Sequence, residues 1–260
     1  MHRLTLSSIV LATALALPGV AQSQAPAPAL TGAAKWADSA ARVIDRASIS
    51  GDVVALQGAR TLLDRALVAF PNDPLLLHYL GYELYLEANL LEGAGRAGEA
   101  TPLLPKARTA LEKSIAGRPM PESHALLASV LGQMIGTDPS LGMTLGPLSG
   151  QEMQAAEATG AFNPRVWMLR GISSLYTPPE YGGSISNAES ELNKAITLFA
   201  TDRPVAPEPS WGKAEAYAWL GQVLQKENKK ADAIAAYKKA LALEPGYTWV
   251  KTVLLPSAQK

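Results

Sequence analysis

Hydrophobic positions recur at helical spacing through most of the chain. The clearest stretch is Ala214–Pro245, AEAYAWLGQVLQKENKKADAIAAYKKALALEP. Tyr217, Leu220, Gly221 and Leu224 lie along one helix, and Ala233, Tyr237 and Ala240 along a second that Pro245 ends. Gly221 is expected to face Ala233, so that the two backbones approach closely and the large residues fill the flanking grooves. The grid extends backwards. Ala59, Leu63, Ala66 and Pro71 repeat the second-helix spacing. Leu77, Leu80, Gly81 and Leu84 begin another unit, completed by Ala107, Leu111, Ser114 and Pro119 after an insertion containing LLEGAGRAGEATP. Trp167, Gly171, Ala188, Leu192 and Ala195 give a further one. Between Pro119 and Pro164 the pattern is weakest: Ala125, Ala128 and Ser129 fit one register, Leu131-Gly132 another. No alternating strand pattern of useful length competes. The pattern predicts an all-α chain over residues 33–256, in which about five antiparallel helix pairs stack as a right-handed α-solenoid.

This grid resembles the tetratricopeptide repeat (TPR), a helix–turn–helix unit of about 34 residues with fixed large and small positions. A narrower resemblance rests on Pro179, Tyr181, Gly182 and Gly183, followed by Trp211-Gly212 and Trp249 with Leu255-Pro256. These residues are similar to periplasmic TPR proteins related to the T component of TRAP transporters, over roughly residues 73–256. That group is all-helical and is thought to bind a partner protein and small apolar ligands.

The TPR resemblance implies which first-helix residues line the concave groove. They are Leu75, His78, Tyr82 and Tyr85; Ser123, Leu126, Val130 and Gln133; Arg165, Met168, Ile172 and Leu175; and Glu215, Ala218, Gln222 and Gln225. The middle units are strongly apolar, and PLLLHYLGYELYL is hydrophobic nearly all round, the mark of a helix buried on every side. Three occupants of this face fit: the array's own chain filling its axis, a second copy of the protein, or an apolar ligand or helix. The candidate binding residues are His78, Tyr82, Tyr85, Leu126, Met168, Ile172, Tyr176 and Tyr181.

Tyr181 sits in TPPEYGGS, inside the fourth pair. Ala233 follows Gly221 by twelve residues, whereas Ala188 follows Gly171 by seventeen, so this turn is five residues longer than the minimal one. Pro178-Pro179 stops the first helix and Gly182-Gly183 permits positive φ. Ser186 with Glu189 reads as a capping box for the next helix. Turn chemistry leaves Tyr181 with two roles, packing under the loop or closing over a ligand beside Met168, Ile172 and Tyr176.

Composition narrows the function. One basic residue, the apolar run LTLSSIVLATALALPGV and small residues at Gly19, Ala21 and Ser23 read as a secretory signal peptide over residues 1–23, and Ala/Pro-rich residues 24–32 as a tether. Residues 257–260 read as a short tail. After signal removal no transmembrane segment is expected, and the protein is expected in the periplasm or secreted. There is no cysteine in the 260 residues, hence no disulfide, no lipid-acylated cysteine and no thiolate zinc site. Lys and Arg total 23 against 23 Asp and Glu, which leaves no electrostatic footprint for nucleic acid. His78 and His124 lack a ligand partner at i+3 or i+4, so a metal role is set against ordinary packing. EGAGRAGEA matches G-x-G-x-x-G in letters only; it follows a helix, so it reads as a flexible insertion, not a dinucleotide loop. The sequence therefore implies a non-enzymatic protein without cofactor or metal that binds a partner protein, with an apolar small molecule in the groove as the alternative.

Overall fold

The computed structural model describes Leu30 and residues 32–260. The signal peptide and most of the tether lie outside the described residues. Twelve α-helices follow in order: α1 (Gly32–Ser50), α2 (Val53–Ala69), α3 (Pro74–Gly93), α4 (Ala97–Ala100), α5 (Leu104–Gly117), α6 (Pro121–Thr137), α7 (Gly142–Thr159), α8 (Pro164–Tyr176), α9 (Ile185–Phe199), α10 (Lys213–Lys226), α11 (Lys230–Leu243) and α12 (Leu255–Gln259). No strand occurs among the described residues. Five pairs pack in sequence, α1 with α2, α3 with α5, α6 with α7, α8 with α9 and α10 with α11. The second helix of one pair also packs on the first of the next, as α2 does on α3, α5 on α6 and α9 on α10. This is a solenoid of TPR-like helix pairs.

Local chemistry sets the helix boundaries. Two first helices open alike: Asp73 and Asn163 each precede a proline, and their side-chain oxygens accept from the backbone N–H of Leu75 and Leu76, and of Arg165. The predicted flexible insertion is largely helical. It forms the end of α3, α4 and one 3-10 turn, and Arg96 pairs with Glu99 through two bonds of 2.7 Å. The helix also continues through Gln259, and Ala258 is buried, so residues 257–259 close the array rather than trail from it. Pro256 has no N–H, and the preceding turn Val250–Leu254 widens to a π-turn.

The repeating contact reaches one turn beyond the expected one. The atoms nearest a Cβ at Gly221 belong to the Tyr237 ring, with which it would collide, rather than to Ala233. At Gly81 it would lie 2.5 Å from Leu111 Cγ, and at Gly171 2.7 Å from Leu192 Cγ, with the Ala188 carbonyl at 3.3 Å. Each of these three glycines is thus a socket for the large residue four positions after the second-helix alanine. The physical reason is that second-helix residues separated by four lie on one face, and the larger of them needs the missing Cβ. In the third pair Ala128 takes the socket position: its carbonyl accepts from Ser149 Oγ at 2.9 Å, while Met153 and Ala156 are buried in register. Gly132 meets nothing within 4 Å, which settles the register left open between Pro119 and Pro164.

Between α2 and α3 lies a buried acid pair. Arg60 bonds Glu87 at 2.6 Å and Gln57 bonds it at 2.8 Å, while Arg60 stays 3.9 Å from Glu83, whose oxygens have no hydrogen-bond partner. Burial pushes Glu83 up to about 8; Arg60 opposes this and Glu87 adds to it. One cation thus serves one carboxylate, and the other keeps its proton.

This packing has consequences for stability. Gly221→Leu should cost about 1–3 kcal/mol by overpacking Tyr237, whereas Gly132→Ala should be neutral or stabilise by up to about 1 kcal/mol; equal melting temperatures for the two variants would refute the socket. Glu83 has a raised folded-state pKa, so its stabilising contribution is full below the unfolded value near 4.5 and declines as pH rises towards about 8. Glu83→Gln should therefore leave stability nearly unchanged at pH 5 and raise it by about 1–3 kcal/mol at pH 9, read by urea unfolding at both values.

Candidate functional site

The inner face of the first helices is occupied by the chain itself. The linker between α9 and α10, TDRPVAPEPSWG, cannot form a helix because Pro204, Pro207 and Pro209 interrupt it. It crosses that face and is held at four places. The Tyr79 hydroxyl donates to the Pro207 carbonyl at 2.8 Å. Arg118 bonds both oxygens of Glu208 at 2.9 and 2.8 Å. Arg165 Nη2 bonds Asp202 at 2.7 Å. Trp211 stacks on Tyr82, with ring centroids 4.4 Å apart and planes 20° apart. The Arg165 guanidinium, 1% exposed, also lies 5.6 Å from the Phe199 ring centroid and 6.0 Å from that of Trp211. Gly212, at φ +107°, ends the linker; a Cβ there would lie 2.9 Å from Phe199 Cζ and 3.3 Å from Met168. Only glycine turns the chain here without strain.

The linker determines what the expected groove residues can touch. His78, Tyr82, Leu126 and Met168 are all buried. His78 heads a hydrogen-bond chain with a fixed direction. Ser114 Oγ spends its one proton on the Pro74 carbonyl at 2.7 Å, so Ser123 must donate to Ser114 at 3.1 Å. Ser123 Oγ then accepts from His78 Nδ1–H at 2.9 Å. Burial, with the Arg118 and Arg165 charges, holds His78 down to about 3, so the ring is neutral and Nε2 is a bare lone pair. A serine and a histidine at this distance suggest a nucleophile and its base, but here the serine's proton points away from the histidine and both side chains are enclosed. The chain ties α3, α5 and α6 together. His124, without a partner within its own helix, bonds Glu152 of α7 at 2.6 Å across the pair.

The remaining candidates stay nearer the surface. Tyr85 and Ile172 are half-buried, and Tyr176 is 60% exposed. Tyr176 begins an aromatic row. Its ring centroid lies 6.0 Å from that of Trp219 at 85°, Trp219 lies 5.1 Å from Trp249 at 60°, and Trp249 lies 6.4 Å from Tyr247. The row joins the end of α8, the middle of α10 and the closing helix of residues 248–259. Trp219 and Trp249 were not among the candidates. A signal was present: Trp219 follows Glu215, an inner-face position, by four residues and so shares its side of the helix.

Tyr181 takes neither expected place. It is 78% exposed in a 3-10 turn, Pro179–Tyr181, neither packed under the loop nor enclosed beside Met168. Gly182 supplies the left-handed turn at φ +93°, and Gly183 passes so close to the Thr177 carbonyl that no Cβ fits. The chain then enters α9 two residues earlier than expected. Ser184, not Ser186, is the cap, its Oγ accepting from Asn187 N at 3.2 Å, and Glu189 bonds Lys229 at 2.9 Å instead.

Carboxyl groups border the inner face near the row. Burial pushes Glu215 up to about 7, and Asp45 and Glu244 add to the shift. Burial raises Asp45 to about 6 although Arg165 opposes it. Among the described residues no cluster of three or more His, Asp or Glu is placed to hold a metal ion, and no helix is long and apolar enough to cross a membrane.

The fold and this inner face define a TPR-type solenoid whose channel is filled from within. The sequence matches no family model, and no curated protein matches it. Solved structures do. A thermophilic TPR protein from Thermus thermophilus, TTC0263, matches with a TM-score of 0.58 at 21% identity, over 86% of this chain and 98% of that one. The HusA haemophore from Porphyromonas gingivalis matches with a TM-score of 0.49 at 22% identity, over 74% of this chain and 94% of that one. The first likeness establishes the fold alone, and the second carries no further argument.

The stack of Trp211 on Tyr82 should dominate linker retention. Trp211→Ala is expected to cost about 3–5 kcal/mol. Trp211→Phe, which keeps a stacking ring and loses one fused ring and an indole N–H that has no partner, should cost less, about 1–2 kcal/mol. Equal losses for the two variants in thermal unfolding would refute the stacking account.

Proposed function

We propose that the protein is an exported, non-enzymatic TPR scaffold that docks a partner protein on its partly exposed aromatic row rather than in its channel. One observation carries the reading: the linker crosses the inner face, while Tyr176 is exposed, with the half-buried Trp219 in contact with it and the half-buried Trp249 in contact with Trp219. Aromatic side chains of this kind supply much of the energy at protein interfaces. The leader pattern of residues 1–23 supports export, and the narrower resemblance over residues 73–256 supports a transporter component as the partner. The small-molecule alternative has less support, because His78, Tyr82, Leu126 and Met168 are all buried within the chain.

The test is site-specific photo-crosslinking in cells. A benzoylphenylalanine in place of Tyr176 should capture one protein of discrete mass, and the same group in place of Leu126 should capture none. Capture at position 126 alone, or a lipid-like mass retained in native mass spectrometry, would move the function to the channel. Tyr181→Ala should shift stability by no more than about 0.5 kcal/mol and leave the position-176 adduct unchanged.

A further inference from the structure

The rings of the row carry no cation of their own. Trp167, half-buried on α8, has Lys194 Nζ 3.2 Å above its ring centroid. Among the described residues no lysine or arginine stacks in this way on Tyr176, Trp219 or Trp249. The charged groups that bear on the tyrosines of this face are carboxylates. Glu92 bears on Tyr85 and Tyr176 at one end; Glu215 bears on Tyr82 and Tyr247 at the other, and Asp45 on Tyr82. After burial, each raises the phenol's pKa. Glu92 is exposed, and its partner is the neutral Gln133 amide at 2.9 Å. At the Tyr176 end the face thus combines an exposed aromatic ring with an exposed carboxylate, Glu92, that forms no ion pair among the described residues.

We propose that this row receives a basic segment of the partner protein at its exposed end, with an arginine or lysine side chain laid on Tyr176 and steered by Glu92. The inference rests on the scaffold reading and names the chemistry of what the scaffold holds. The scaffold reading makes the cation's source a protein segment, and Tyr176, at the end of the row with Trp219 packed 6.0 Å away at 85°, is the exposed ring that receives it. A guanidinium gains from both neighbours, stacking on the ring and pairing with the carboxylate.

A nine-residue peptide alternating arginine and serine, and its twin with citrulline for arginine, test this with the full mature chain by calorimetric titration. The arginine peptide should bind at least about tenfold tighter, since citrulline keeps the planar shape and loses the charge, with one donor nitrogen replaced by a carbonyl. Tyr176→Leu, which keeps apolar area and removes the ring, and Glu92→Gln should each weaken the arginine peptide several-fold. Both positions are exposed, so these variants keep the fold, and Tyr181→Ala should bind like the parent. Equal affinity for the two peptides, or no loss in either variant, overturns the proposal. Tetramethylammonium displacing the peptide at the peptide's own Kd would make this a small-cation site and also overturn it. A partner crosslinked at position 176 through a segment without lysine or arginine would overturn this inference while leaving the scaffold reading intact.

Discussion

Arg165 is the constraint around which the inner face is arranged. A guanidinium that is 1% exposed cannot be left without an opposing charge, since breaking a buried pair costs about 3–5 kcal/mol. Its counter-charge, Asp202, is not on a neighbouring helix but at the start of the linker. The linker must therefore run along the inner face, and its course brings Phe199 and Trp211 over the same guanidinium and Trp211 onto Tyr82. Arg165 is placed by the first turn of α8, which Asn163 and Pro164 open. A helix-capping device thus sets the position of the charge, and the charge sets the path of a twelve-residue connection.

Burial governs the neighbouring titratable groups. His78 is fully buried; it stays neutral and its N–H feeds the serine chain that joins three helices. The carboxyls of Glu215 and Asp45 are pushed up mainly by burial. The all-round apolar character of α3 has the same origin, because one side packs on α5 and the other meets the linker through Tyr79 and Tyr82.

The helix pairs were legible because their determinants are local and periodic. Gly81, Gly171 and Gly221 recur at fixed offsets from Leu111, Leu192 and Tyr237, and volume alone decides that they meet. Even there the partner was misassigned by one turn, since spacing gives a face but not which residue on it needs the missing Cβ. The third pair was hard to read because α7 begins GMTLGPLSG, whose glycines and proline look like a turn and yet lie within a helix held by its neighbours. The linker was invisible for a different reason. TDRPVAPEPSWG has no period, and nothing along the chain says that Asp202 pairs with Arg165 or that Pro207 lies at Tyr79. Half of the candidate site consequently became core: the residue types were suited to contact, and the contact is with the chain itself. Tyr176 kept an open position because it is the last residue of its helix, and Tyr85 stayed half-buried in the middle of α3.

The buried linker and the partly exposed row are connected through the same helices. Gly212 ends the linker in a left-handed conformation and is at once the N-cap of α10. Ala216 N donates to the Gly212 carbonyl at 2.8 Å, so the first turn of the helix starts from the linker's last residue. Trp219 lies one turn further along, and its ring meets Tyr176 of the preceding pair on one side and Trp249 of the closing helix on the other. The α8–α10 contact is otherwise slight, and α10 is supported chiefly by α9 and α11. Trp219 is set opposite Tyr176 through α9, which packs on both α8 and α10, and the anchored linker adds a second tie: Arg165 holds Asp202 near its beginning, and Tyr82 holds Trp211 near its end. The row at the surface and the charge pair in the interior thus share α8, and the segment that carries Asp202 and Trp211 leads directly into α10, which carries Trp219.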